Sequence, residues 1–448
     1  MKKVFRVSIV FLLCVIPALN NLPAAEINGQ GIIFTNCHII DCTGAPLSEN
    51  MTLQIAGGKI IAIQKGLLAE QPDPAKFRVI DLRGAYVLPG LWNMHVHLSD
   101  LLPDVNKMLG EEHVLPADIR AGRNAMDALK MGFTGLRVVG ERDYIDVAWR
   151  DAFNKGVFVG PRIFAAGMVV TPTQGHPWEA VWPVEIFADG PQEIRKAMRQ
   201  NIVHGVDFVK IFARYLDRDE LEAAITTAHN YGLHVTADAD GDNAQRAVVA
   251  GVDCIEHGTN ISDETINLMA KKGTFLCPTV VCNVSEKFIT ERDERLKKLG
   301  FAADENTVNG RLLVTSADMR SQKTADRHRE IIVKAASAGV KIISGSDSNP
   351  LDEYGILEIE QLHLSGLSPM QTLLAATRNC AEMCGVLDEL GTIEVGKIAD
   401  LVVLSENPLE NISNLRKLKM VIKDGKPVNL SREEGETSFW DLYFKEVQ

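Results

Sequence analysis

Two histidines stand two residues apart in His95-Val96-His97, shortly after Pro89-Gly90 and at the end of an apolar stretch. Residues two apart on a strand share a face, so both imidazoles can reach one metal ion. The motif is weak alone, and three further positions give it weight. Asp347 follows the apolar stretch Lys341 to Gly345, in Ile343-Ser344-Gly345-Ser346-Asp347-Ser348. A carboxylate there can ligate a metal and take a proton from water. His257 ends Ile255-Glu256-His257, and Lys210, in Phe208-Val209-Lys210-Ile211, would point its amine inward. Taken singly, an inward lysine is an ordinary salt-bridge partner and a terminal histidine is satisfied by hydrogen bonds. Convergence of all four on one face favours a metal centre.

The elements that must position them alternate. From Leu91 to about Leu373, short apolar strands are separated by amphipathic helices such as Asp219 to Tyr231 and Ala244 to Ala250. The strand candidates are Trp92 to His97, Gly135 to Val139, Arg162 to Ala166, Phe208 to Phe212, His234 to Ala239, Cys254 to His257, Phe275 to Thr279 and Lys341 to Gly345. Strands with helical crossovers over this length predict an α/β fold, a (β/α)8 TIM barrel, whose active sites lie at the C-terminal strand ends. Doubly wound domains are the competitor, but no G-x-G-x-x-G turn is present. Short strands flank the barrel: Ile32 to Phe34, Leu53 to Ile55, Lys59 to Ile63 and Val79 to Leu82 before it, Thr392 to Ser405 and Leu418 to Val428 after it. They are expected to meet in a small composite β-sandwich. The predicted boundaries are 1–25 for a leader, 26–90 and 386–430 for the sandwich, 91–385 for the barrel and 431–448 for a tail. Thr279 to Ala338 is too long for a simple crossover. It reads either as charged helices over the barrel mouth or as a solvated excursion.

The 448 residues carry 47 basic and 59 acidic side chains, a net charge of −12. That balance argues against nucleic acid or an anionic membrane as partner. Lys2, Lys3 and Arg6 precede an apolar run, and Pro23-Ala24-Ala25 supplies small residues for cleavage. The run is shorter than the roughly 20 residues of a membrane span. Export to the periplasm or medium is expected, with an uncleaved anchor as the alternative. Losing those three basic residues would leave 44 against 59, a net charge of −15. Seven cysteines would remain, too few and too odd in number for a disulfide scaffold, and they read mostly as buried thiols.

Several blocks carry a resemblance: Val87-Leu88-Pro89-Gly90-Leu91 leading into His95-Val96-His97, Gly251 to Gly258, Gly366-Leu367-Ser368-Pro369-Met370, Ala375-Ala376-Thr377-Arg378-Asn379, and Gly391 to Leu404. Together they make the chain resemble the amidohydrolase superfamily, in its imidazolonepropionase-like and Xaa-Pro dipeptidase-like branch. The resemblance covers nearly everything after the leader. It implies a divalent metal, zinc foremost, held by His95, His97 and Asp347. It also implies a Lys210 carboxylated by CO2 that bridges to a second metal on His257 and a strand-five histidine. A hydroxide between the metals would attack a carbonyl while Asp347 passes the proton to the leaving nitrogen. His176, in Thr173-Gln174-Gly175-His176-Pro177, resembles the family's Gly-Gly-His loop and would donate to a substrate carbonyl or carboxylate; a solvent-exposed loop histidine is the alternative. Arg214 and Tyr215, just past Lys210, are candidates for holding a substrate carboxylate.

The sequence departs from the family at strand five, where Asp238 stands in place of the histidine after Val235-Thr236-Ala237. His234 lies four residues earlier, about 13 Å back along the strand. Asp238 is a hard oxygen ligand able to hold a divalent ion. A one-metal site and a catalytically inactive relative remain open as alternatives. Val138, after Arg137, is a second departure, away from the expected metals. The implied reaction is hydrolysis of an amide, cyclic amide or dipeptide-like C–N bond; an ester, lactone or phosphotriester is the alternative substrate. A small-molecule substrate is the expected partner, and a homo-oligomer is left open.

Overall fold

A computed structural model describes residues 31–99, 114–173, 175, 184–283, 290, 294, 321–349 and 351–431. The expected leader, the tail beyond residue 431, His176 and most of the long excursion after Thr279 lie outside these residues. No described helix is long and apolar enough to cross a membrane.

The chain enters through Gly31–Ile39 (β1), Ser48–Ala56 (β2), Lys59–Lys65 (β3), Phe77–Asp81 (β4) and Tyr86–Pro89 (β5). Strands β2 and β3 form a hairpin whose turn residues Gly57 and Gly58 both have positive φ, +58° and +79°. Glycine alone adopts that pair without penalty, and such a turn matches the right-handed twist of the flanking strands.

The central strands follow: Leu91–Val96 (β6), Phe133–Val138 (β7), Arg162–Ala165 (β8), Val169–Thr171 (β9), Glu185–Phe187 (β10), Phe208–Phe212 (β11), His234–Ala239 (β12), Cys254–His257 (β13) and Phe275–Cys277 (β14). All pairings among them are parallel, in two arcs ordered β6-β7-β8 and β10-β9-β11-β12-β13-β14. Every residue of β6, β7 and β11 is buried, as expected of parallel strands covered on both faces. Backbone hydrogen bonds also span the gaps between the arcs. Asp207 N–H donates to Ala165, Ile343 N–H to Leu276, and Met94 N–H to Ser344, so the segment after Lys341 runs between β14 and β6.

That segment corrects the expected eighth strand, Lys341 to Gly345. Its one ladder contact is the isolated bridge Leu276↔Ile342. Its N–H groups go to different neighbours: Ile343 to Leu276, Ser344 to Ala375 and Asp347 to His95. A second correction concerns Thr392 to Ser405, where regular strand is confined to Leu401–Leu404 (β15) because single bonds such as Ile393 N–H to Asp41 replace a ladder.

The described helices are Val114–Lys130 (α1), Ile145–Asn154 (α2), Gly190–Val203 (α3), Arg218–His229 (α4), Gly241–Ala250 (α5), Asp263–Lys272 (α6), Gln322–Ser337 (α7), Leu351–Leu364 (α8), Pro369–Ala375 (α9) and Arg378–Met383 (α10). Local sequence explains their ends. Asp217 and Glu220 form a capping box at α4, and Ser368 and Gln371 form another at α9 behind Pro369. Helix α6 starts under Ser262, places acids first and lysines last, and stops at Gly273.

After α10 the chain returns through β15, Leu418–Lys423 (β16) and Lys426–Pro427 (β17). Strand β15 pairs antiparallel with both β5 and β16, so strands from both ends of the chain share one eight-stranded sheet. Its core holds Ile32, Phe34, Cys37, Leu53, Val87 and Val403. Cys42, five residues beyond Cys37, packs instead into the cluster around α1 and β7. All seven described cysteines are free thiols, six buried and Cys384 half-buried.

Candidate metal-dependent active site

His95 is the fifth residue of β6 and His97 follows the strand's last residue. Asp347 is brought beside them by the segment just described, where its N–H donates to the His95 carbonyl at 2.7 Å and its backbone turns to φ +47°. Its Oδ1 lies 3.3 Å from both His95 Nε2 and His97 Nε2. The outer nitrogens of both rings are fixed. His97 Nδ1 donates to the Gly140 carbonyl at 2.7 Å, and His95 Nδ1 to the Glu256 carboxylate at 2.8 Å. Each Nε2 is therefore left facing Asp347 and the site.

His257 joins from β13. Strand alternation would put it on the face opposite Glu256, yet both side chains reach the centre because His257 takes φ +65°. Its ring sits 4.9 Å from that of His95, centroid to centroid, and its Nδ1 lies 2.7 Å from the Thr279 hydroxyl. Its Nε2 is 3.2 Å from Asp238 Oδ2 on β12. Asp238 thus occupies the position that the sequence left in question, with its carboxylate on the site. His234 lies far from it, bonded to the Met383 carbonyl.

Lys210 is buried in β11, its Nζ 5.7 Å from the Phe212 ring centroid. Its charge is among the influences that lower the proton affinity of both His95 and His257. Arg214 is half-buried and acts electrostatically on Asp240, while Tyr215 is exposed. Among the described residues, the histidine cluster pairs with Asp347 and Asp238 and not with Arg214 or Tyr215. His204, His229 and His363 lie elsewhere: stacked on Tyr144, paired with Asp253 and bonded to the Leu367 carbonyl.

The electrostatics follow from burial opposed by neighbours. Burial works against ionisation of Asp347, but His95, His97 and His257 overcome it and hold the carboxyl well below the ordinary range. Burial also disfavours protonation of His95, and the net shift is downward. In His257 burial acts the same way, yet the Asp238 carboxylate reverses the balance and raises it. Donor atoms of His95, His257 and Asp347 all lie within 4.8 Å of one another. Ligands about 2.05 Å from a tetrahedral ion stand about 3.3 Å apart, the separation found between Asp347 and the two β6 histidines. The donor set fits a divalent ion.

Sequence reasoning passed over three buried groups. Glu256 is fully buried against Arg137 and His95. Glu358 of α8 accepts from the Val281 N–H at 2.9 Å. His328 of α7 donates to the His257 carbonyl at 3.1 Å. Glu256 was hidden by its place next to a histidine, and the other two by lying on helices distant in sequence.

Comparison with known proteins agrees with this geometry. Residues 86–428 match the model of the amidohydrolase family. Ochratoxinase from Aspergillus niger is 28% identical over 374 residues, covering 75% of this chain and 73% of the relative. Imidazolonepropionase from Symbiobacterium thermophilum is 31% identical over 376 residues, covering 78% and 82%. The crystal structure of a Xaa-Pro dipeptidase with bound methionine in its active site superposes with a TM-score of 0.73 at 28% identity, covering 89% of this chain and all of the other. These solved relatives imply a (β/α)8 barrel. The chain belongs to the amidohydrolase family, in the branch of these relatives, and is a hydrolase of carbon–nitrogen bonds.

Proposed function

We propose that this protein hydrolyses an amide, cyclic amide or dipeptide-like bond of a small molecule at a divalent metal centre on His95, His97, His257, Asp238 and Asp347. The two arcs are read as one closed barrel, residues 91–385, with the terminal sheet, 26–90 and 386–430, as a small β-sandwich beside it. Three contacts of 3.2–3.3 Å, Asp347 with His95 and with His97 and Asp238 with His257, gather five donor side chains from three strand ends and the 341–347 segment, and they carry the reading. Zn2+ is the ion best suited to a donor set of imidazoles and carboxylates that keeps room for substrate. When bound, it would polarise the scissile carbonyl and make water acidic enough to attack near neutral pH.

The chain's own groups do the rest. His95 and His97 are held by their Nδ1 partners with Nε2 facing inward, so no rotamer search precedes binding. Asp347, ionised among three imidazoles, accepts a proton at Oδ1 from the attacking water and returns it to the leaving nitrogen. Lys210, carboxylated on its amine by CO2, would change from an inward cation into a two-oxygen anionic ligand. Asp238 takes the place of the strand-five histidine as an oxygen ligand. His176, Arg214 and Tyr215 are assigned to binding substrate, its carboxylate foremost, since Arg214 stands beyond Lys210 at the same end of β11. The leader is read as an export signal to the periplasm or medium.

A site of this kind could also open an ester, lactone or phosphotriester, and side-by-side kinetics on an amide and its ester analogue separate the two. An amide rate above buffer supports amide hydrolysis, and a rate on the ester alone overturns it. Protein prepared with bicarbonate and zinc is expected to retain one or two ions per chain. Retention of none would sink the metal reading, and with it would favour a catalytically inactive relative.

A further inference from the structure

One buried ion pair beneath the metal centre touches the chemistry above only through the outer nitrogen of His95. Glu256 is fully buried on β13, and four strands reach it or its partner. Its Oε2 accepts from His95 Nδ1 of β6 at 2.8 Å. Its Oε1 accepts from the Arg137 guanidinium of β7 and from the Thr236 hydroxyl of β12. Arg137 in turn donates from Nε to the Met94 carbonyl at 2.6 Å and lies 5.4 Å from the Phe208 ring centroid of β11.

Stability alone is a poor reason for such a pair. A buried ion pair replaced by apolar side chains of similar volume is often no worse for folding. Here Arg137 Nη1 finds no hydrogen-bond partner among the described residues, so the desolvation cost is not fully offset. The pair does achieve something local. His97 rests its outer nitrogen on a backbone carbonyl and His257 on a hydroxyl. Of these three rings, His95 is the one that rests on a carboxylate. A hydroxyl can donate or accept and leaves the tautomer free, whereas an ionised carboxylate only accepts.

We propose that Glu256 is a positioning residue that locks His95 in the Nδ1–H tautomer with Nε2 aimed at the metal, and that Arg137 and Thr236 hold the carboxylate in the orientation this requires. The inference rests on the metal reading for its consequence, not for its geometry. Carboxylate partners of metal-bound histidines typically contribute 10- to 100-fold in metal affinity.

Two measurements test it. In metal-free wild-type protein, 15N spectra of labelled histidine, with His95 assigned by its loss in His95→Asn, should show a protonated Nδ1 and a lone pair on Nε2. Zn2+ affinity, measured against a competing chelator with bicarbonate present, should fall about 10- to 100-fold in the double variant Arg137→Met/Glu256→Leu. Glu256→Gln keeps an accepting oxygen and should lie between the two. Cooperative thermal unfolding shows that each variant is folded. An Nε2–H tautomer at His95, or wild-type Zn2+ affinity in the folded double variant, overturns the proposal. Should the double variant not fold, the wild-type tautomer decides. Should wild-type protein bind no Zn2+, the metal reading fails, and the tautomer still reports on the lock.

Discussion

Asp238 and Lys210 are the residues at which the site of this chain can be interrogated most directly. Asp238 Oδ2 lies 3.2 Å from His257 Nε2, at the position where the family resemblance implies a histidine. Asp238→His is expected to raise metal stoichiometry or affinity if wild type holds one ion. Unchanged metal content and activity, measured by elemental analysis and turnover, would show that the position is not a ligand. Lys210→Ala should abolish activity, with partial recovery on adding short carboxylic acids that stand in for the carbamate; full activity without them would exclude a role for the lysine. At this scale the sequence was informative where spacing reported direction. His95 and His97 share a face by period two, His257 stands at a strand end, and Asp347 follows an apolar stretch. It was silent on Glu256, because period two sends neighbours to opposite faces. Only the left-handed backbone of His257, φ +65°, lets adjacent residues serve one centre.

Elements hold those residues by contacts that can be broken one at a time. Gly345 lies where a Cβ would come within 2.4 Å of Cys277 Sγ and 2.7 Å of the His95 backbone nitrogen. Gly345→Ala must push the 341–347 segment away from β6 and carry Asp347 with it. It should lower stability by about 1–3 kcal/mol and weaken Zn2+ binding, read by denaturant unfolding and chelator competition. Wild-type values of both would refute the constraint. This segment also shows why its strand was misjudged: apolar composition signals burial, not which partner each N–H finds.

Helix α8 offers a pH test. Burial of Glu358 raises its carboxyl to about 8, despite the N–H groups of Val280 and Val281. The unfolded chain gives up this proton near its ordinary value, so between about 4.5 and 8 the folded state binds the extra proton. The group's contribution is therefore complete below that window and is lost as pH rises through it, on the order of 5 kcal/mol in all. Glu358→Gln keeps an acceptor for Val281 and should flatten the decline in unfolding free energy between pH 5 and 8. A variant curve parallel to wild type would show that the carboxyl is already ionised.

Across the whole molecule, the terminal sheet is fastened to the central strands through Asp400. Its carboxylate receives Arg162 Nε of β8 at 3.1 Å, lies 3.4 Å from Lys423 Nζ of β16 and accepts the Asp424 N–H at 2.7 Å. Asp400→Asn removes the buried partner of two cations that both keep Asp424, and should cost about 1–3 kcal/mol, seen as a lowered denaturation midpoint. A midpoint within error of wild type would show that the junction is held by apolar packing alone. The alternation of strands and helices, and strands at both ends, were legible from residue pattern. That the two ends meet was expected as well; that β5 and β15 are the strands that pair was not, since pairing across so long a separation leaves no local signature.

That ladder bears on how the molecule is made. Strand β5 finds its neighbour β15 about 310 positions later, so loop closure over nearly the whole chain precedes the last pairing. A growing polypeptide cannot finish its own sheet until the final strands have emerged, and until then β5 offers a bare edge to any other strand nearby. Residues 401–427 therefore act as a completion signal: the sheet is sealed only once they have been made.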